Sequence, residues 1–138
     1  AQMVGSAQRA LDISAEHAKT REQSGQPIGA FQAIAHQLAD MLRDIEGSRW
    51  MVRRAAWQMD NPDTVDGLGA DLAMTVAMAK SYANDACTAA VRRAHQVMGA
   101  IGYCDEHPLH LLHKRIQLAA TTFGDSADHL GVIAESMD

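Results

Sequence analysis

From Ile28 onward the apolar residues Phe31, Ile34, Leu38, Met41, Leu42, Ile45, Val52, Ala56 and Met59 hold a spacing of three and four for about thirty residues. A run of that length at the helical period is far too long for a strand and dictates a long amphipathic helix, which must bury its stripe against something. The neighbouring segments carry the same period. Met3, Val4, Ala7, Leu11, Ala15 and Ala18 share one face of a helix reaching about Arg21, which Gly25 and Pro27 are expected to end.

Pro62 and the glycines at 67 and 69 separate the long helix from a third one starting near Ala70. Its face carries Leu72, Val76, Ala79, Ala83, Ala86, Ala90, Ala94 and Val97. Those side chains are mostly small, so a neighbouring helix can approach closely. Residues 99–102 interrupt the pattern, and a turn through Pro108 leads into a fourth helix with Leu109, Leu112, Ile116 and Ala119 on its apolar side. After a break at residues 123–125, Ser126 is expected to cap a short fifth helix whose Leu130, Ile133, Ala134 and Met137 face inward. The fold class predicted is all-α, an antiparallel four-helix bundle with a short fifth C-terminal helix, forming one domain over residues 1–138.

Composition agrees: 47% of residues are hydrophobic and only 4% aromatic, with Ala and Met, both good helix formers, prominent. The formal charge is −5 and the cations are scattered, so there is no basic stripe for nucleic acid. Two cysteines, Cys87 and Cys104, are too few for a disulfide scaffold, and nothing approaches the length of a membrane span. A soluble, cytoplasmic protein is expected. Because the helical pattern is already running at Ala1, with no capping residue ahead, the chain is expected to be a piece of a longer one.

The loops say more than the periodicity. Residues 5–12 (GSAQRALD), residues 19–28 (KTREQSGQPI) leading to Phe31-Gln32, and residues 95–103 (HQVMGAIGY) ahead of Pro108 resemble, in order and separation, the C-terminal helical domain of the acyl-CoA dehydrogenase family. The resemblance implies a three-domain flavoprotein that uses FAD to remove two hydrogens from the α and β carbons of an acyl-CoA and passes the electrons to an electron-transfer flavoprotein. It also implies a homo- or hetero-oligomer, in which two loops of this bundle reach FAD held largely by a neighbouring subunit.

On that resemblance Arg21 matches an arginine that approaches the FAD pyrophosphate, a role suited to its planar fork of donors. Read alone, it is a solvated cation at a helix C-terminus. Gln96, Gly99 and Ala100 match the loop lying against the neighbour's FAD, with Ala100 where the family usually has a second glycine; read alone, they form a helix-terminating turn. The family's base-bearing glutamate falls on Phe123, and a phenyl ring accepts no proton. Asp125 as a displaced base is the weaker alternative. His107, His110 and His113 invite a metal reading, but no Cys or carboxylate completes a known spacing, so solvated or interface histidines are favoured and no metal is expected. Trp50 and Trp57, one heptad apart, are expected in the core or at subunit contacts.

The function these residues imply is that of a degenerate subunit, without its own base, that supplies architecture and FAD contacts. Two other readings stay open: a non-enzymatic interaction bundle, and an active homotetramer whose base lies upstream of Ala1.

Overall fold

The computed structural model describes residues 1–62 and 71–136. Met137, and the Ala70 start expected for the third helix, lie outside them. Helix α1 spans Gln2–Thr20, α2 Gln32–Asp60, α3 Leu72–Met98, α4 Leu109–Thr121 and α5 Ser126–Glu135. The first four form the expected antiparallel bundle, with α3 at its centre touching all the others.

Its composition suits α3 to that place. Ala79, Ala83, Ala86, Ala90, Ala94 and Val97 are buried as expected, but so are Thr75, Ala77, Ser81, Asn84, Cys87, Val91, His95 and Met98, which lie on other faces. A helix surrounded by neighbours buries more than one stripe. Small side chains let those neighbours close in: Met41 and Ile45 of α2, Ala7 and Ala10 of α1, and Leu109 and Ile116 of α4 are fully buried in the core against it. Leu72 and Val76, expected to face inward, sit on the first turns of α3 and are exposed.

Three further expectations are corrected. Residues 22–27 form a tight hairpin, β1 (Glu22–Gln23) pairing antiparallel with β2 (Gln26–Pro27), rather than a simple helix stop. Ser24 and Gly25 take φ of 52° and 79°, the left-handed pair that a two-residue hairpin loop requires. Helix α2 starts at Gln32, because Ile28–Ala30 is a 3-10 turn. The cap of α5 is Asp125: its Oδ1 accepts from the N–H groups of Ala127 and Asp128 at 2.8 and 3.1 Å, while Asp128 Oδ2 accepts from the Asp125 N–H at 2.9 Å. Asp128 completes this reciprocal capping box, and Ser126 instead donates to Asp85 on α3 at 2.7 Å.

Helix α5 buries no residue fully. Leu130 and Ala134 are exposed and Ile133 is only half-buried, so the inward apolar face expected of it is not formed within this chain. Trp50 and Trp57 are also exposed, which removes the core reading of both. No helix among the described residues is long and apolar enough to cross a membrane.

Candidate functional site

Four residues singled out in the sequence, Arg21, Gln96, Gly99 and Ala100, line one cleft of about 460 Å³. The chain brings them together through two turns. Arg21 ends α1 in an extended conformation, its N–H bonded to the His17 carbonyl at 2.8 Å, and its own carbonyl accepts from Ile28 N–H at 2.8 Å. The hairpin is thereby folded back against the end of α1. Gly29 packs so tightly there that a methyl would lie 3.0 Å from the Ala18 carbonyl oxygen. Opposite, α3 ends at Gly99, whose φ of 63° is a conformation glycine adopts freely, and the chain continues as a 3-10 turn, Gly99–Tyr103.

Beneath the cleft lies a small apolar cluster of Ala18, Ile28 and Val97, with Phe31, Ile34 and Leu38 packed against it. The cleft therefore has an apolar floor and a rim of Arg21, Gln23 and Gln96, which suits an anionic ligand with a flat, less polar part. Among the described residues the Arg21 guanidinium is committed to no hydrogen bond or ion pair within the chain. A methyl placed on Gly99 would meet nothing within 4 Å, so that side of the turn is open. Ala100 has no positive φ, so its methyl group costs no backbone strain. These features fit the diphosphate end of FAD, with Arg21 and Gln96 as the groups that would hold it.

Sequence reasoning missed His17 and Phe31 as cleft residues. His17 lies one turn before Arg21, so the spacing of four was a usable signal. Burial, then the positive charge of Arg21 and the nearby His107, push the His17 imidazole below its ordinary proton affinity.

Phe123 lies away from this cleft. It borders a second groove of about 770 Å³ with Met3, Lys80, Leu111 and Leu118. Met3 and His17, fourteen residues apart on α1, place the two clefts roughly 21 Å apart along the helix. Phe123 is 92% exposed and has a φ of 63°, rare for a bulky residue. Its carbonyl accepts from His129 Nε2 at 2.9 Å. The carboxylate of Asp125, two residues on, is engaged in capping α5.

The histidines of the turn and α4 are partly buried and bonded within the chain. His107 Nδ1 accepts from the Leu109 N–H at 3.3 Å, His110 Nδ1 donates to the His107 carbonyl at 2.8 Å, and His113 Nε2 lies 3.3 Å from the Gln117 amide nitrogen. Among the described residues no group of three or more His, Cys, Asp or Glu is arranged to hold a metal. Cys87 and Cys104 are both free thiols, the first buried and the second exposed.

Together these describe an all-α bundle whose two helix-ending turns build a cleft lined by Arg21, Gln96 and Gly99. Residues 1–137 match the C-terminal domain of acyl-CoA dehydrogenase, and the chain belongs to that family of flavoproteins. It is 38% identical over 136 residues to the probable acyl-CoA dehydrogenase YngJ of Bacillus subtilis, covering 97% of this chain and 33% of that one. Among solved structures it resembles butyryl-CoA dehydrogenase from Megasphaera elsdenii, with a TM-score of 0.88 and 29% identity over 98% of this chain and 33% of that one. It is equally like a chain of the ChsE4–ChsE5 complex from Mycobacterium tuberculosis, with a TM-score of 0.87 and 30% identity over 98% of this chain and 35% of that one. The chain thus spans about a third of the length of the relatives it matches.

Proposed function

We propose that this chain is the C-terminal bundle of a three-domain acyl-CoA dehydrogenase-like subunit that lacks its own catalytic base. In this reading it supplies oligomer contacts and half of a site for FAD held by a neighbouring subunit. The observation that carries the reading is the separation of two sites: Arg21, Gln96 and Gly99 converge at one end of α1, while Phe123, which the family resemblance sets at the base position, borders a groove near the other. The distance between the two clefts supports different roles for the two ends, since a dinucleotide gripped at the hairpin is not the one a base at residue 123 would serve.

FAD, when bound, takes up the hydrogens removed from the acyl-CoA and passes their electrons on to an electron-transfer flavoprotein. This chain's part is to bind and orient. Arg21 pairs with phosphate oxygens, Gln96 donates its amide, and the apolar floor excludes water. The open glycine turn lets the cofactor come close. Beside Phe123, Asp125 Oδ1 accepts two backbone N–H groups and His129 Nε2 is bonded to the Phe123 carbonyl, so both neighbouring titratable side chains take part in holding the turn.

A hetero-oligomer is favoured over a homotetramer, since a subunit without a base requires a partner that has one. A chain of the ChsE4–ChsE5 complex shares this fold, a precedent for such a bundle in an assembly of more than one component. The exposed Trp50, Trp57 and Leu130 are the surfaces such partners would cover. The test is to purify the full-length subunit alone and with its partner. Alone it is expected to show no dehydrogenation of any acyl-CoA when supplied with FAD. With the partner, Arg21→Ala is expected to weaken flavin retention. Turnover by the subunit alone, or flavin retention indifferent to Arg21→Ala, would remove the proposal in favour of an upstream base or a flavin-free interaction bundle.

A further inference from the structure

His95 precedes Gln96 on the last turn of α3 but faces the other way. It is 4% exposed, and neither Nδ1 nor Nε2 has a hydrogen-bond partner. Its ring stacks on Tyr103, with centroids 4.4 Å apart and planes at 28°, and lies 4.9 Å from the ring of His113, tilted by 54°. Gly102 closes over it. A methyl on Gly102 would come within 3.3 Å of His95 Nδ1, 3.2 Å of Leu109 Cδ2 and 3.0 Å of Met98 Cβ. The turn Gly99–Tyr103 therefore leaves α3, borders the cleft with its first residues, and returns onto the His95 ring with its last two.

An imidazole buried with both nitrogens unpartnered is costly, and an apolar side chain would fill the same space without that cost. We infer that His95 is a positioning residue for the cleft: its neutral ring, held between Tyr103 and His113, fixes the return of the Gly99–Tyr103 turn, and protonation releases it. The inference rests on the reading of the cleft as a flavin contact.

The charge environment makes the neutral form the one that fits. The titratable groups bearing on His95 are His113 and His110 of α4 and His107 of the preceding turn, with the Tyr103 phenol stacked on its face. Arg92 acts on His113 from α3 itself, and His107 also bears on His17 of α1. Burial first, then the positive charge of His113, His107 and His110, lower the affinity of His95 for a proton below the ordinary value of 6.5. A charged ring in this place must either admit water or move, and Gly102 and Tyr103 are what stand in its way.

Two readouts on the full-length assembly test this: flavin retained after gel filtration, and hydrogen exchange of the amides of residues 100–103, corrected for the intrinsic effect of pH. Between about pH 7.5 and about pH 5, a window set by histidine titration, both retention and protection are expected to fall severalfold in the unmodified protein. His95→Leu, and independently His95→Gln should the first fold poorly, are expected to hold both readouts level. Acid loss that persists in both variants, or its absence from the unmodified protein, overturns the inference. Flavin retention unaffected by Arg21→Ala would sink the flavin reading of the cleft instead, while the amide readout still decides the role of His95.

Discussion

Asp44 Oδ2 accepts a hydrogen bond from Arg93 Nη1 at 2.7 Å, joining the middle of α2 to the C-terminal part of α3. The carboxylate side chain is 12% exposed and the arginine 30%, so solvent screens the pair only partly. Asp44 Oδ1 also accepts from Arg43, which is itself well exposed. Removing the carboxylate leaves Arg93 partly buried without its partner, so Asp44→Ala is expected to destabilise the chain by about 2–3 kcal/mol. Arg43→Ala is expected to be close to neutral. Chemical denaturation of the three proteins separates these outcomes.

Lys80 ties α3 to the end of α4. Its Nζ donates to the Ala119 carbonyl at 2.9 Å and to Asn84 Oδ1 at 2.6 Å, occupying a carbonyl that the helix end would leave free. Burial lowers its proton affinity, but a lysine starts from so high a value that it stays charged at neutral pH. Lys80→Met keeps the packing and removes the donor, and is expected to cost about 1–2 kcal/mol. A thermal melt showing no loss would mean that water replaces the ammonium group at no cost.

The pH dependence of stability has a definite sign. His17, His95 and His113 all bind a proton more weakly in the folded chain than at the ordinary value of 6.5, with burial the leading cause in each case. Between that value and the lower folded ones, the unfolded chain carries more protons, so stability rises with pH. The contribution is fully present above 6.5 and is lost as pH falls below it. Melting temperature is expected to drop as the buffer is taken from neutral towards about pH 5, and His95→Leu is expected to flatten part of that slope. A drop of equal size in the variant would assign the effect to other groups.

How far the sequence foretold this structure depends on which physical signal each part carries. Helices α1 to α4 were legible because their buried residues repeat at the helical period over many turns. The hairpin was not, because two-residue strands have no period to read, and Gly25 serves a hairpin loop as readily as a helix stop. The α5 cap was misplaced by one residue, since Asp125 and Ser126 both suit the position and Asp128 decides between them. The inward face expected of α5 failed for a different reason. Its apolar residues find too little of this chain to cover them. In the cleft, periodicity alone says nothing about Arg21 meeting Gln96; that convergence followed from loop residues resembling a family. His95 was invisible as a separate element, because a histidine at the end of a helix ordinarily reads as a solvated C-terminal charge.

Phe123 carries the last prediction, because its backbone and its side chain argue in opposite directions. A φ of 63° is strained for a residue with a bulky side chain, and a ring 92% exposed gains almost nothing from packing within the chain. The His129 bond to its carbonyl and the neighbouring Gly124, at φ 98°, hold that conformation in place. Relieving the strain by Phe123→Gly is expected to stabilise the isolated chain by about 1 kcal/mol. An aromatic ring held out at that cost makes sense if another surface covers it, so the same substitution is expected to weaken assembly with the partner subunit proposed above. Denaturation of the chain and sedimentation of the assembly should therefore move in opposite senses. If the variant gains stability and assembles unchanged, the ring is not a subunit contact.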